Sequence, residues 1–242
     1  MTTPLVLLPG MMCDARLFAP QIKALSPDHT VIVPDLTGSP TVGGLAARVL
    51  EDVPDRIALG GLSMGGIVAM EVVRQAPGRV AGLALMDTNP LAETEEVKNR
   101  RGPQMERARA GRLDSVMREE MKPNYLGSGL NTSAILDLCM DMALKLGPEV
   151  FCEQSAALRD RPDQTDTLRG FEGPALVLCG RQDKLCPIPR HTLMHGLLPR
   201  SELVIIDGAG HLPTLERPNE TSMALRRWLR NVNDGSPIGP MT

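Results

Sequence analysis

Short, continuously apolar runs alternate with longer amphipathic stretches along most of this chain. Residues 4–8 form the first such run and stop at Pro9-Gly10, which predicts a strand buried on both faces. Similar runs at 30–33, 57–62, 80–86, 174–180 and 202–207 predict five more strands. Between them the apolar positions recur at helical spacing, predicting helices over 15–25, 45–53, 67–75, 189–198 and 219–229. Strand and helix in strict alternation build βαβ units, hence a parallel sheet with helices on both faces.

The alternation stops between residues 88 and 171. Helix formers dominate there, predicting helices at 93–109, 113–121, 133–146 and 149–159. Breaks are expected at Gly111, at Pro123-Asn124, across Gly127 to Gly129 and at Gly147-Pro148. This stretch reads as a helical insertion into one α/β core rather than a second independent domain. The core is then 1–87 with 172–232, the insertion 88–171, and the Gly- and Pro-rich tail 233–242 is expected to be disordered.

The most informative junction lies between the strand at 57–62 and the helix at 67–75. It reads Gly61-Leu62-Ser63-Met64-Gly65, the G-x-S-x-G turn called a nucleophile elbow. Serine at so sharp a turn is pushed out of the sheet, and side-chain-free residues on either side let strand and helix approach. The helix behind it directs unpaired N–H groups toward the place where an oxyanion would form.

A base and an acid should then come from the carboxyl ends of other strands, where ligands gather in such sheets. His211, in Gly208-Ala209-Gly210-His211, directly follows the last strand and is the candidate base. Asp183 follows the preceding strand and is the candidate acid, with Asp87 and Asp207 as rivals at other strand ends. His191 and His195, four apart on one helix without a further ligand nearby, read as surface residues rather than a metal pair. Trp228 is expected to pack against the sheet.

Composition narrows the function. At 242 residues and 42% hydrophobic, the chain can bury a sizeable core. A net charge of −3 without a Lys/Arg run argues against nucleic acid. No apolar stretch reaches membrane-spanning length, and the start shows no basic signal-peptide region, so a cytoplasmic location is the default. Five scattered cysteines without a C-x-x-C pair argue against a disulfide framework and a zinc site. Cys13 and Cys186 lie near the candidate loops and are expected to be open to thiol reagents. Aromatics are only 2%, against 14 methionines, so flexible thioethers should fill much of the core and pocket.

Taken together, Leu7-Leu8-Pro9-Gly10-Met11, Pro34-Asp35-Leu36-Thr37-Gly38, the elbow, Gly180-Arg181-Gln182-Asp183 and Gly208-Ala209-Gly210-His211 resemble the α/β-hydrolase superfamily, in its small, capped, esterase-like form. The resemblance implies an α/β-hydrolase fold, a mostly parallel six-stranded sheet in the order 2-1-3-4-5-6, with the insertion as a helical cap. It implies an oxyanion hole made by the backbone N–H groups of Met11 and Met64. It further implies a serine hydrolase that needs no metal or organic cofactor and acts on a small-molecule carboxylic ester, thioester or lactone. Ser63 would be the nucleophile, His211 the base and Asp183 the orienting acid. Serine at the elbow sets the chain apart from relatives with an aspartate nucleophile. A ligand-binding member with little turnover, and a lyase or acyltransferase, are the alternatives. Where relatives often carry His-Gly, this chain has Pro9-Gly10, which calls the rigidity of that loop into question. Cap arginines, among them Arg100, Arg101, Arg107 and Arg109, are candidates for holding a substrate carboxylate, against the plainer reading of a solvated helix face.

Overall fold

The six apolar runs become six strands of one sheet: β1 (Leu5–Leu8), β2 (Val31–Ile32), β3 (Ile57–Leu62), β4 (Val80–Met86), β5 (Ala175–Gly180) and β6 (Ser201–Ile206). The computed structural model describes residues 2–128 and 132–234. The strand order is β2-β1-β3-β4-β5-β6, and every neighbouring pair is parallel. This is the α/β-hydrolase arrangement that the motifs implied. β1, β3 and β5 are buried along their whole length, which is why their sequences are apolar without alternation. The edge strands β2 and β6 are only half-buried, as one-sided packing requires.

Successive side chains of each strand enter opposite layers. Val6, Leu8, Leu59 and Val177 pack in one core with α2 (Val42–Asp52) and α3 (Met64–Gln75); α1 (Ala19–Leu25) is on the other side. There Leu5, Leu7, Ala58 and Leu178 meet Leu25 of α1 and Trp228. Trp228 packs on the sheet as expected, its indole N–H donating to the Pro174 carbonyl at 3.1 Å.

Several helix starts differ from the periodic pattern, among them that of α3 at Met64 rather than 67, and two have identifiable local reasons. The run 15–25 is split into a 3-10 turn at Ala15–Phe18 and α1, because Pro20 has no N–H for an α-helical bond. α2 begins three residues before its expected start, because the Thr41 hydroxyl accepts from the Gly44 N–H at 3.0 Å and caps it there.

Between β4 and β5 the described residues are helical, without a strand. They comprise α4 (Glu95–Arg107), α5 (Leu113–Ser115), α6 (Thr132–Arg159) and α7 (Thr165–Arg169), with wider π-type turns around α5. The expected breaks at Gly111 and Gly147 are real: both take positive φ, 79° and 85°, and Gly147 kinks α6 just before Pro148. After β5 come α8 (Ile188–Leu197), α9 (Pro213–Glu216) and α10 (Pro218–Asp234). α10 holds Asn233 and Asp234, which the tail was expected to include; the rest of that tail, 235–242, lies outside the described residues, as does Gly129. Among the described residues no helix is long and apolar enough to cross a membrane.

Candidate active site

Ser63 is the single residue between β3 and α3, at φ 54° and ψ −116°, in the region that side-chain-bearing residues rarely occupy. Its backbone is clamped from both sides. The Ser63 N–H donates to the Met86 carbonyl at 2.9 Å, and its carbonyl accepts from the Thr88 hydroxyl at 2.7 Å. The flanking glycines are a packing requirement. A Cβ at Gly61 would stand 2.2 Å from the Gly65 carbonyl oxygen, and one at Gly65 would stand 2.0 Å from that of Leu8.

The loops after β5 and β6 converge on that turn. His211 Nε2 lies 2.9 Å from Ser63 Oγ, and His211 Nδ1 lies 2.9 Å from Asp183 Oδ2. His211 and Asp183 are buried, 4% and 5% exposed, so water has little access to the bond between them, while Ser63 is half-buried at the cavity. An ionised carboxylate only accepts, so Nδ1 carries the proton and Nε2 is left to accept from the Ser63 hydroxyl. Asp183 Oδ1 accepts from the Leu185 and Cys186 N–H groups at 2.8 and 3.0 Å. Burial alone would raise the Asp183 pKa, but the His211 charge and hydrogen bond, with those two N–H donors, bring it below the ordinary value.

The two rival acids stand elsewhere. Asp207 pairs with Arg181 at the surface. Asp87 is fully buried, accepts from the Gly180 N–H at 2.9 Å through Oδ1, and has no partner at Oδ2. Burial and the neighbouring Asp183 charge push its pKa well up. Asp183, Cys186 and His211 also present metal-type ligand atoms within 4.8 Å of one another. The imidazole and carboxylate there are already hydrogen-bonded to each other and, through the imidazole, to Ser63.

The position expected for His191 is corrected. It is fully buried, not at the surface, and its Nε2 accepts from the Thr88 N–H at 3.2 Å. The helical pattern could not separate these cases, because α8 packs its histidine face under the β4 loop. Burial lowers its pKa from 6.5 to about 4, against the opposing pull of Asp183. Between those values the unfolded chain binds a proton that the folded chain does not, so acidification favours unfolding. Stability from this group is full above pH 6.5 and is lost as pH falls through about 4, by about 3 kcal/mol in all. Urea unfolding of wild type and His191→Gln at pH 7 and pH 5 checks this. The variant should lose less stability on acidification, and the comparison removes the opposite contribution of Asp87.

Two further residues border the same space. Met11 and Met64 line the cavity with Ser63 and His211, and among the described residues neither N–H is engaged within the protein. The chain just after Pro9-Gly10 is tied down by a residue that no local sequence pattern singles out. Gln154 of α6 is buried, accepts from the Met12 N–H at 2.8 Å and donates to the Leu36 carbonyl at 2.8 Å. Glu216 does the same for the histidine loop, accepting from Gly210, Leu212 and Gly127 N–H groups. Neither has a local pattern that could have announced it.

The cavity above Ser63 encloses about 290 Å³. Sheet loops supply one wall, and residues 93–161 supply the other, including Val97, Met121, Tyr125 and Leu158. Cys13 and Cys186 line it as well; all five cysteines are free thiols. Of the four arginines considered, Arg109 is exposed, Arg107 pairs with Glu119 and Glu120, and Arg100, at the rim of the cavity, is largely exposed and pairs with Glu96. Arg101 also lines the cavity and is the least exposed of the four, its side chain 11% exposed against Glu93.

Comparison with known proteins gives the family and the fold. Residues 5–224 match the pattern of the alpha/beta hydrolase family. A pimeloyl-[acyl-carrier protein] methyl ester esterase from Xanthomonas axonopodis pv. citri is 27% identical, over 94% of this chain and 95% of that protein. A thermophilic esterase from Thermogutta terrifontis, solved with malate bound, superposes with a TM-score of 0.89 at 32% identity, covering 96% of this chain and 90% of that one. An enol-lactonase from Burkholderia xenovorans LB400 shares the fold, with a TM-score of 0.84 at 22% identity over 95% and 92% of the two chains.

Proposed function

The chain belongs to the alpha/beta hydrolase family, and from that premise we propose that it is a serine hydrolase cleaving a small carboxylic ester through an acyl-enzyme on Ser63. The observation that carries this reading is the unbroken hydrogen-bonded chain from Asp183 through His211 to Ser63, at 2.9 Å for each link. The esterase names of two relatives point to the same bond type.

In the first half-reaction Ser63 Oγ attacks the ester carbonyl carbon while His211 Nε2 takes the hydroxyl proton. The carbonyl oxygen becomes an oxyanion, held by the free Met11 and Met64 N–H groups. Collapse breaks the bond to the alcohol, which leaves with the proton from Nε2, and Ser63 remains acylated. Water then enters, His211 takes its proton, and the second collapse frees the acid and restores the hydroxyl. Asp183 stays ionised throughout, keeping Nδ1 protonated and offsetting the charge of the imidazolium. The helices between β4 and β5 act as a cap, enclosing the acyl group and selecting its shape.

A fluorophosphonate probe tests the assignment directly. It should add one covalent label to the native protein, located on Ser63 by peptide mass analysis and lost on denaturation before labelling. A native protein that resists the probe would favour a ligand-binding role for the same pocket.

A further inference from the structure

The cavity wall opposite the serine carries an excess of positive charge. Glu93, just before α4, is 8% exposed and accepts from two arginines at once. Arg161 grips it with both ends of its fork, at 2.7 and 3.1 Å, and uses its Nε–H on the Leu91 carbonyl at 2.9 Å. Arg101 reaches the same carboxylate through a single contact, Nη2 to Oε2 at 2.8 Å. Its Nε–H is buried and has no partner. Two guanidinium groups, 11% and 7% exposed, therefore share one carboxylate, leaving one positive charge uncompensated at the cavity wall.

Such a charge is costly unless an anion completes it. The groups nearby do not. Glu120, the other acid on the cavity wall, is already taken by Arg107 and Gln104. Arg190 of α8, half-buried and lining the same cavity from the sheet side, makes no side-chain ion pair among the described residues, so it adds to the excess. Arg101 lines the cavity and is held by Glu93 through Nη2; among the described residues its Nη1 makes no hydrogen bond, so the guanidinium keeps a donor besides the buried Nε–H with which to receive a carboxylate.

We infer that Arg101, positioned by Glu93 and reinforced by Arg161, is a subsite for a substrate carboxylate, so that the favoured substrate is a half-ester of a small dicarboxylic acid. This rests on the esterase reading of Ser63. The scissile ester lies at the serine, and the second, ionised carboxylate lies against the arginines.

The test compares mono-p-nitrophenyl glutarate with p-nitrophenyl pentanoate, acyl groups of equal length that differ in the terminal charge. Wild-type kcat/KM should favour the charged ester by about 30-fold or more, as expected for a hydrogen-bonded ion pair of this kind. Arg101→Gln should collapse that ratio toward unity, chiefly through the KM for the charged ester, and Arg101→Lys should restore part of it. A wild-type preference for the neutral ester would overturn the subsite while leaving the esterase reading intact, and it needs no variant to fold. If neither ester turns over, the esterase reading fails, and calorimetric titration of Ser63→Ala protein with monomethyl glutarate still decides the subsite. Binding that disappears when Arg101→Gln is added upholds it; no binding overturns it.

Discussion

Ser63→Ala should lower kcat for a small ester by on the order of 10⁴- to 10⁶-fold while leaving the thermal midpoint close to wild type. The size of the loss follows from the site. His211 Nε2 points at Ser63 Oγ, and without the hydroxyl the imidazole has no nucleophile to activate. What remains is the N–H pair at Met11 and Met64 and whatever binding the cavity offers. Stability should hold, because the elbow is fixed by its backbone: the Ser63 N–H and carbonyl bonds to Met86 and Thr88 do not involve the side chain. Initial-rate kinetics on p-nitrophenyl butyrate with a circular-dichroism melt measures both quantities. Turnover near the wild-type level would remove Ser63 from the mechanism.

Asp183→Asn should cost about 10⁴-fold in kcat. The variant keeps size and shape, but its amide N–H₂ would face Nδ1, favouring the tautomer with the proton on Nε2. That nitrogen could then no longer accept the Ser63 proton. Asp87→Asn is the matching control. Asp87 is buried within reach of the Asp183 charge, but the two imidazole nitrogens are bonded to Asp183 and Ser63 rather than to it, and an amide there is close to isosteric and could still accept from the Gly180 N–H. Its kcat should fall far less than that of Asp183→Asn. The reverse ranking in pH 7.5 rate measurements would show that the acid had been placed on the wrong strand.

These expectations draw on different depths of the sequence. The strands were legible because a strand buried on both faces needs an apolar run whatever surrounds it, and β4 spans the run predicted for it, with β1, β3 and β5 within a residue of theirs. The breaks at Gly111 and Gly147 were legible for the same local reason, since positive φ selects glycine. The elbow could be read because its steric demand falls on five consecutive residues.

The cap arginines show where local reading ends. Four were equivalent along the helix, and only the fold turned Arg101 inward onto Glu93 and left the other three paired or exposed at the surface. His191 was misplaced because spacing gives a face of α8 but not what covers that face. Gln154 could not be found at all, since the atoms it joins lie 118 and 142 positions away. By itself, then, the sequence determined the strands, the sharp turn at Ser63 and the order in which the polar residues arrive at strand ends. Tertiary structure decided which carboxylate meets the imidazole, which histidine is stripped of water and which arginine keeps an unmet charge. Those outcomes depend on desolvation and on contacts between distant segments, and neither is written into any short window of residues.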